Sequence, residues 1–352
     1  MKQLQSTTAK RVRWIDYAKG IAILATILGH TVEFGVNGSH VRGLIFSFHM
    51  PLFFILSMVT YRCSESMEEF RAKTKKAFRH LIIPAIVVFV ILVILECVKN
   101  PQVITSLGYW REKLYTFVYA SGVETGYSGV NVGAIGMIWF FFALFIGRTI
   151  FDYLHLKIQN DTCLFILSCI SCMFGIILGQ IQWLPFSMDI ALAIMPFFFW
   201  GYHMKKMDVT DRPWKKFLFW GIVWIALYLL GEPNYEIRSY LELACRRYTL
   251  FPLCFVAAIA GTMMISEASV ICDRFHILSK PMTYLGRNSL YMLCVHAIDT
   301  YWSFLWYVEG HQFVSAAKRE LTDLAAFVIV MLVMFLYKKV KQRLTATKQR
   351  NV

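Results

Sequence analysis

The sequence predicts an all-α, polytopic membrane protein, a bundle of about ten transmembrane helices with both termini cytoplasmic. Three observations predict it. The 352 residues are 57% hydrophobic and only 16% charged, whereas a soluble domain carries about 25% charged residues. Apolar runs able to bridge about 30 Å of hydrocarbon recur from end to end. Basic residues collect in alternate loops, which is the pattern that fixes orientation in a bilayer.

Ten spans can be placed, at roughly 14–33, 43–61, 80–98, 133–154, 162–180, 186–204, 214–231, 247–266, 281–305 and 321–339. Pro185 and Pro196 bracket the sixth, and proline is tolerated where neighbours satisfy the freed carbonyl. Lys2, Lys10, Arg11 and Arg13 precede or open the first span. Arg62, Arg71, Lys73, Lys75, Lys76 and Arg79 follow the second, and Lys205, Lys206, Arg212, Lys215 and Lys216 the sixth. Arg274 and Lys280 follow the eighth, and the tail is basic from Lys338 to Arg350. With ten spans these all fall on one side, which must be cytoplasmic. The expected location is the plasma (inner) membrane, multi-pass. Residues 1–345 then form one integral-membrane domain, and 346–352 a basic cytoplasmic tail.

The same charge pattern accounts for the net charge of +14. The charge sits in short loops rather than on a soluble domain, so membrane lipids are expected partners and nucleic acid is not. The N-terminal apolar run lacks a small-x-small cleavage site and reads as a retained first span. The nine cysteines lie mostly within spans, where Cys behaves as a small apolar residue. With no zinc-ligand spacing, no metal is expected. The hydrophilic stretches Glu65–Arg79 and 99–132 read as loops. The second is either a cover over an external site or a plain connector.

Ionisable residues at membrane depth are costly and need a partner or a task. The first span carries Asp16 and Lys19 in its opening turns and closes on Gly29-His30. Lys19 and His30 are about 16 Å apart along the axis. The second span runs back, so His49 returns to the depth of His30. The ninth brings His296 and Asp299 into the same outer half. Three histidines and one Asp could therefore line one outward cavity. A histidine of near-neutral pKa can take a proton from a hydroxyl, and Asp299 could orient one of them. Each His could equally serve as a cross-helix hydrogen bond. At the cytoplasmic mouth, Lys19, Lys76 and Arg79 could hold the phosphates of a nucleotide-like cofactor, or simply meet anionic lipid heads. Asp16 reads as the structural ion-pair partner of a cation in this group. His203 and Asp208 have the His-x4-Asp spacing of glycerolipid acyltransferases, but in a basic loop without the rest of that pattern.

The run Trp14-Ile-Asp-Tyr-Ala-Lys-Gly-Ile-Ala-Ile-Leu24 to Gly29-His30, followed by Phe46-Ser-Phe-His-Met-Pro-Leu-Phe-Phe54, resembles the membrane-bound acyltransferase 3 family. It is most similar to the branch related to fucose 4-O-acetylase. A basic residue, ten residues and a histidine match Lys19 and His30. A later basic pair resembles Lys76-Ala-Phe-Arg79, with Lys in place of the more usual first Arg. Trp139-Phe140 and Gly286-Arg-Asn-Ser-Leu-Tyr291 to His296 match further landmarks. Ser57-Met58 departs from the usual Ser-Gly.

The resemblance implies an O-acyltransferase that takes an acyl group from an acyl-CoA, usually acetyl-CoA, on the cytoplasmic side. The acceptor would be a hydroxyl of a lipid-linked or surface glycan outside. Lys19, Lys76 and Arg79 would meet the donor's phosphates. His30 would deprotonate the acceptor or relay the acyl group, with His49, His296 and Asp299 around it. An alternative is a membrane carrier for a small polar solute, because the membrane portion of vancomycin-resistance serine racemases resembles the same family and is associated with serine uptake.

Overall fold

A backbone within hydrocarbon must satisfy its own N–H and C=O groups, and this chain does so almost wholly with helices. The computed structural model describes residues 12–32, 40–127, 130–207, 209–230 and 241–350. Lys2, Lys10, Arg11, Asp208 and the end of the basic tail lie outside the described residues. In order the elements are α1 (Arg13–Thr31), α2 (Val41–Val59), α3 (Met67–Lys99), α4 (Leu107–Tyr119), β1 (Thr125–Tyr127) and β2 (Val130–Val132). There follow α5 (Trp139–Lys157), α6 (Asp161–Ile181), α7 (Met188–Ala193), α8 (Met195–Met204), α9 (Pro213–Leu229), β3 (Leu241–Glu242) and β4 (Arg247–Tyr248). The last are α10 (Leu253–Arg274), α11 (Ser279–Arg287), α12 (Ser289–Ile298) and α13 (Gln312–Arg350). The four strands form two short antiparallel hairpins.

Helix α1 is the hub, packing against α2, α10, α11, α12 and α13. Its Ala18, Ala22, Ile23 and Ile27 are wholly buried. Small residues let helix backbones close up where hydrophobic force between helices is weak. The tightest case is Gly286 of α11, where a Cβ would overlap the carbonyl oxygen of Asp16 and lie 2.7 Å from the nitrogen of Gly20. Arg13 Nη2 donates to Ser279 Oγ at 2.7 Å, and the Tyr17 hydroxyl donates to the Ile277 carbonyl at 2.8 Å. These bonds fasten the same end of α1 to the α10–α11 corner.

Among the described residues, six helices are long and apolar enough to cross a membrane: α2, α3, α5 with its leading turn, α6, α10 and α13. The other four expected spans differ for physical reasons. Helix α1 has the length, but Asp16, Lys19 and His30 reduce its hydropathy. Helix α9 has 17 residues. The sixth span breaks into α7 and α8 just before Pro196, which lacks the N–H a continuous helix needs. The ninth breaks at Asn288 into α11 and α12, then tightens into a 3-10 turn over Asp299–Leu305. Helices α3 and α13 show rows of exposed Val, Ile and Leu, among them Val87, Ile94, Val328, Leu332 and Leu336. Apolar surface of that extent belongs in lipid, and the chain is an integral membrane protein.

Both expected loops contain helix. Helix α3 starts at Met67 because Ser66 caps it, its hydroxyl accepting from Glu69 N–H at 3.1 Å. Glu69 and Lys73 then pair one turn apart at 2.8 Å. The 99–132 stretch holds a 3-10 turn, α4 capped by Ser106, and the β1–β2 hairpin.

Candidate active site

The site forms where α1 ends. Gly29 lets α2 approach, since a Cβ there would come within 2.8 Å of Ile45 Cγ2 and 3.1 Å of the Phe46 ring. His30 follows immediately. Its ring centroid lies 5.3 Å from that of Phe46, 5.8 Å from His296 and 6.3 Å from His49. His30 and His49, which the sequence placed at similar depths, and His296, placed in the same outer half, therefore come together in space.

Each of the other two histidines is oriented by an acceptor. His49 Nδ1 lies 3.0 Å from the Ile45 carbonyl. A carbonyl only accepts, so Nδ1 carries the hydrogen and Nε2 is the basic nitrogen of the neutral ring. His296 Nδ1 lies 2.9 Å from Asp299 Oδ2 and 2.9 Å from Asp323 Oδ2. Its Nε2 is buried without a hydrogen-bond partner among the described residues. Asp299 in turn receives Arg319, with Nε 2.5 Å from Oδ2 and Nη2 2.7 Å from Oδ1. Arg319 also donates to the His30 carbonyl at 3.3 Å and Thr31 Oγ1 at 3.2 Å, and its guanidinium lies 4.4 Å from the Trp306 ring centre. One network thus joins the end of α1 to α12 and α13.

Among the described residues, three cavities touch His30. The largest, about 550 Å³, is also lined by His296, Arg42, Glu96, Lys113, Trp139, Glu242 and Tyr301. Helix α4 and the turn after it supply part of its wall through Thr116 and Gly122. A second of about 300 Å³ lies among Thr31, Trp306, Tyr307, His311 and Arg319. A third of about 40 Å³ reaches towards the bundle core past Thr26, His49, Met50 and Leu293.

The roof is the β3–β4 hairpin. Arg246 in its turn is buried against Asp189 at 2.8 Å, donates to Ser121 Oγ at 3.0 Å and stacks 3.8 Å over Trp183. Glu242 beside it meets Arg42 at 3.7 Å and Arg247 at 3.4 Å. Arg42 donates to the Gly29 carbonyl at 3.0 Å and lies over Phe46 at 4.4 Å.

The residues expected at the other end are placed differently. Lys19 is half-buried on α1, while Lys76 and Arg79 are exposed on α3. Asp16 is buried and meets Arg287 Nε at 3.9 Å, a cation the sequence reading left out of its group. The sequence reading also missed Asp323, Arg319, Arg42 and Glu242. Asp323 had a visible signal, as an acid near the start of an apolar span that recurs one turn after Arg319. Arg42 and Glu242 had none, because they lie 200 residues apart at the start of α2 and the end of β3. His296, Asp299 and Asp323 offer ligand atoms within 4.8 Å of one another, close enough to hold a cation. The Arg319 guanidinium already occupies both oxygens of Asp299 and supplies the positive charge there.

The chain belongs to the acyltransferase 3 family, whose sequence model, described as an acyltransferase domain, matches residues 12–337. No curated protein matches it. Fold and family together define an integral membrane acyltransferase.

Proposed function

We propose that the protein transfers an acetyl group from acetyl-CoA on the cytoplasmic face to a hydroxyl of a lipid-linked or surface glycan on the opposite face of the plasma membrane. The observation that carries this reading is the meeting of three cavities at His30. Acyl transfer needs two substrates to converge on one acid–base group, and His30 lies between the wide cavity and the narrow one that points into the core. The wide cavity, with Trp139 and Tyr301 beside Glu96 and Glu242, offers the aromatic faces and carboxylates that a sugar ring engages. The narrow cavity reaches Thr26, one turn back along α1 from His30 on the side of Lys19, and Lys19, Lys76 and Arg79 would meet the phosphates of the donor. An extended pantetheine arm spans a gap of about 16 Å.

This topology keeps ten membrane crossings, with the broken sixth and ninth spans counted as one each and both termini inside. His30 stands at the reacting centre with His49 and His296 beside it, and a histidine of this group takes the proton of the hydroxyl or carries the acyl group in passing. The branch related to fucose 4-O-acetylase suits a sugar acceptor. In the carrier alternative the same polar residues would form a solute pathway, and no described feature favours that over transfer.

The test compares ester content of surface glycan, by mass spectrometry, in cells with wild-type protein, with His30→Ala and with neither. Loss of acetyl ester in the variant, at normal membrane abundance, is expected. Normal ester content in His30→Ala would refute the assignment, and solute uptake into proteoliposomes without acetyl-CoA would favour the carrier.

A further inference from the structure

Two carboxylates approach one nitrogen of His296, and they are not equivalent. Both oxygens of Asp299 are bonded by Arg319, at 2.5 and 2.7 Å. That pair is neutral, bidentate and buried, so Asp299 already has its counter-charge. Asp323 has none of this. Its Oδ2 lies 2.9 Å from His296 Nδ1, its Oδ1 has no hydrogen-bond partner among the described residues, and the residue is wholly buried. A buried carboxylate without its own cation is costly. The positive charge within its reach is the one His296 acquires when Nε2 takes a proton.

We infer that Asp323, on α13, is the positioning carboxylate of His296, and that His296 Nε2 is the proton acceptor for the substrate hydroxyl. Asp323 keeps the imidazole hydrogen on Nδ1 and turns the basic Nε2 away from the carboxylates. His296 lines the 550 Å³ cavity, where the acceptor hydroxyl would lie. The division of labour resembles that of a hydrolase triad, in which a buried carboxylate orients a histidine and stabilises its cation without taking the proton. Asp299 serves instead to hold Arg319 against the carbonyl of His30. This inference rests on the acyl-transfer reading for its chemistry but not for its geometry.

The step balances as follows. The hydroxyl oxygen forms a bond to the acyl carbon as its proton passes to His296 Nε2. The carbon–sulfur bond breaks, and the departing thiolate recovers that proton from Nε2. Ester and free thiol result, and His296 is neutral again. Asp299 and Arg319 remain paired throughout.

The test uses the full chain in lipid nanodiscs with 15N-labelled histidine. Wild-type protein is expected to show a strongly low-field imidazole N–H resonance, assigned by its loss in His296→Gln, with nitrogen shifts of the Nδ1–H form. Asp323→Asn should remove the low-field shift and Asp323→Glu should keep it. In an assay of CoA release with a glycan acceptor, Asp323→Asn should lower kcat by about 100-fold or more with KM within about twofold. Asp323→Glu should recover most of the rate. A purely structural role would instead lower the yield of folded protein and leave kcat per folded molecule intact.

A low-field resonance that persists in Asp323→Asn and vanishes in Asp299→Asn would overturn the inference. So would a stoichiometric metal ion that co-purifies with wild type and is lost in Asp323→Asn. Should Asp323→Asn fail to fold, wild-type spectra still decide, because His296 protonated on Nε2 contradicts the inference. If wild-type protein transfers no acyl group, the proposed function fails while the spectra judge the His296–Asp323 pair by themselves.

Discussion

Arg319 on α13 grips both carboxylate oxygens of Asp299, the residue just after α12, and the same guanidinium reaches the carbonyl of His30 on α1. Three helices are thereby tied by one buried cation. Removing one member of a buried ion pair strands the other and costs about 3–5 kcal/mol. Arg319→Met is therefore expected to lower thermal stability in detergent markedly. Asp299→Leu combined with Arg319→Met should recover much of the loss. A single variant as stable as wild type would show that the pair contributes nothing to the fold.

The Arg246–Asp189 pair makes a second prediction. Both side chains are almost wholly buried, at 1% and 0% exposure, so a lone survivor would have no water to turn to. Arg246→Ala should cost about 3 kcal/mol or more and loosen the hairpin over the cavity. Hydrogen exchange at residues 241–248 reads this directly. Unchanged protection there would remove Arg246 from its assigned part as a clamp.

Gly29 predicts a steric effect. A methyl group at this position meets Ile45 and Phe46 at 2.8 and 3.1 Å. Overpacking of this kind costs about 1–3 kcal/mol, and here it also pushes α2 away from the end of α1. Gly29→Ala should lower activity more than stability, because His30 is the next residue. The comparison of turnover with melting temperature checks it.

Donor binding gives the fourth. If Lys76 and Arg79 meet donor phosphates, Lys76→Ala with Arg79→Ala should raise KM for acetyl-CoA by about tenfold or more, since losing charge-assisted hydrogen bonds costs about 1.5–3 kcal/mol, with kcat little changed. An unchanged KM would leave these exposed residues to lipid headgroups. Isothermal titration with CoA alone provides a readout free of the acceptor.

Much of this molecule was legible before any coordinates, for physical reasons. Depth along a membrane helix follows from residue count, so His30 and His49 could be placed at similar depths and His296 and Asp299 in the same outer half. The hub role of α1 was foreshadowed by polar residues in an apolar helix. Helix breaks were harder. Pro196 hinted at one, but the break at Asn288 depends on how α11 packs on α1. The Ser66 and Ser106 caps were readable local signals, yet the hydrophilic runs containing them read as loops because a hydropathy scan weighs apolarity before capping. Partners brought together by tertiary structure, such as Arg42 with Glu242, left no trace in local sequence. Asp323 lay in plain view as an intramembrane acid, but its importance depends on a neighbour 27 residues earlier.

The small cavity at His30 and His49 bears on how a donor would reach the site. Its volume is about 40 Å³, far less than an extended pantetheine arm fills. A donor arriving by this route would have to displace the side chains of His49, Met50 and Leu293 that line it. Turnover would then follow how readily those side chains give way rather than the bond chemistry alone.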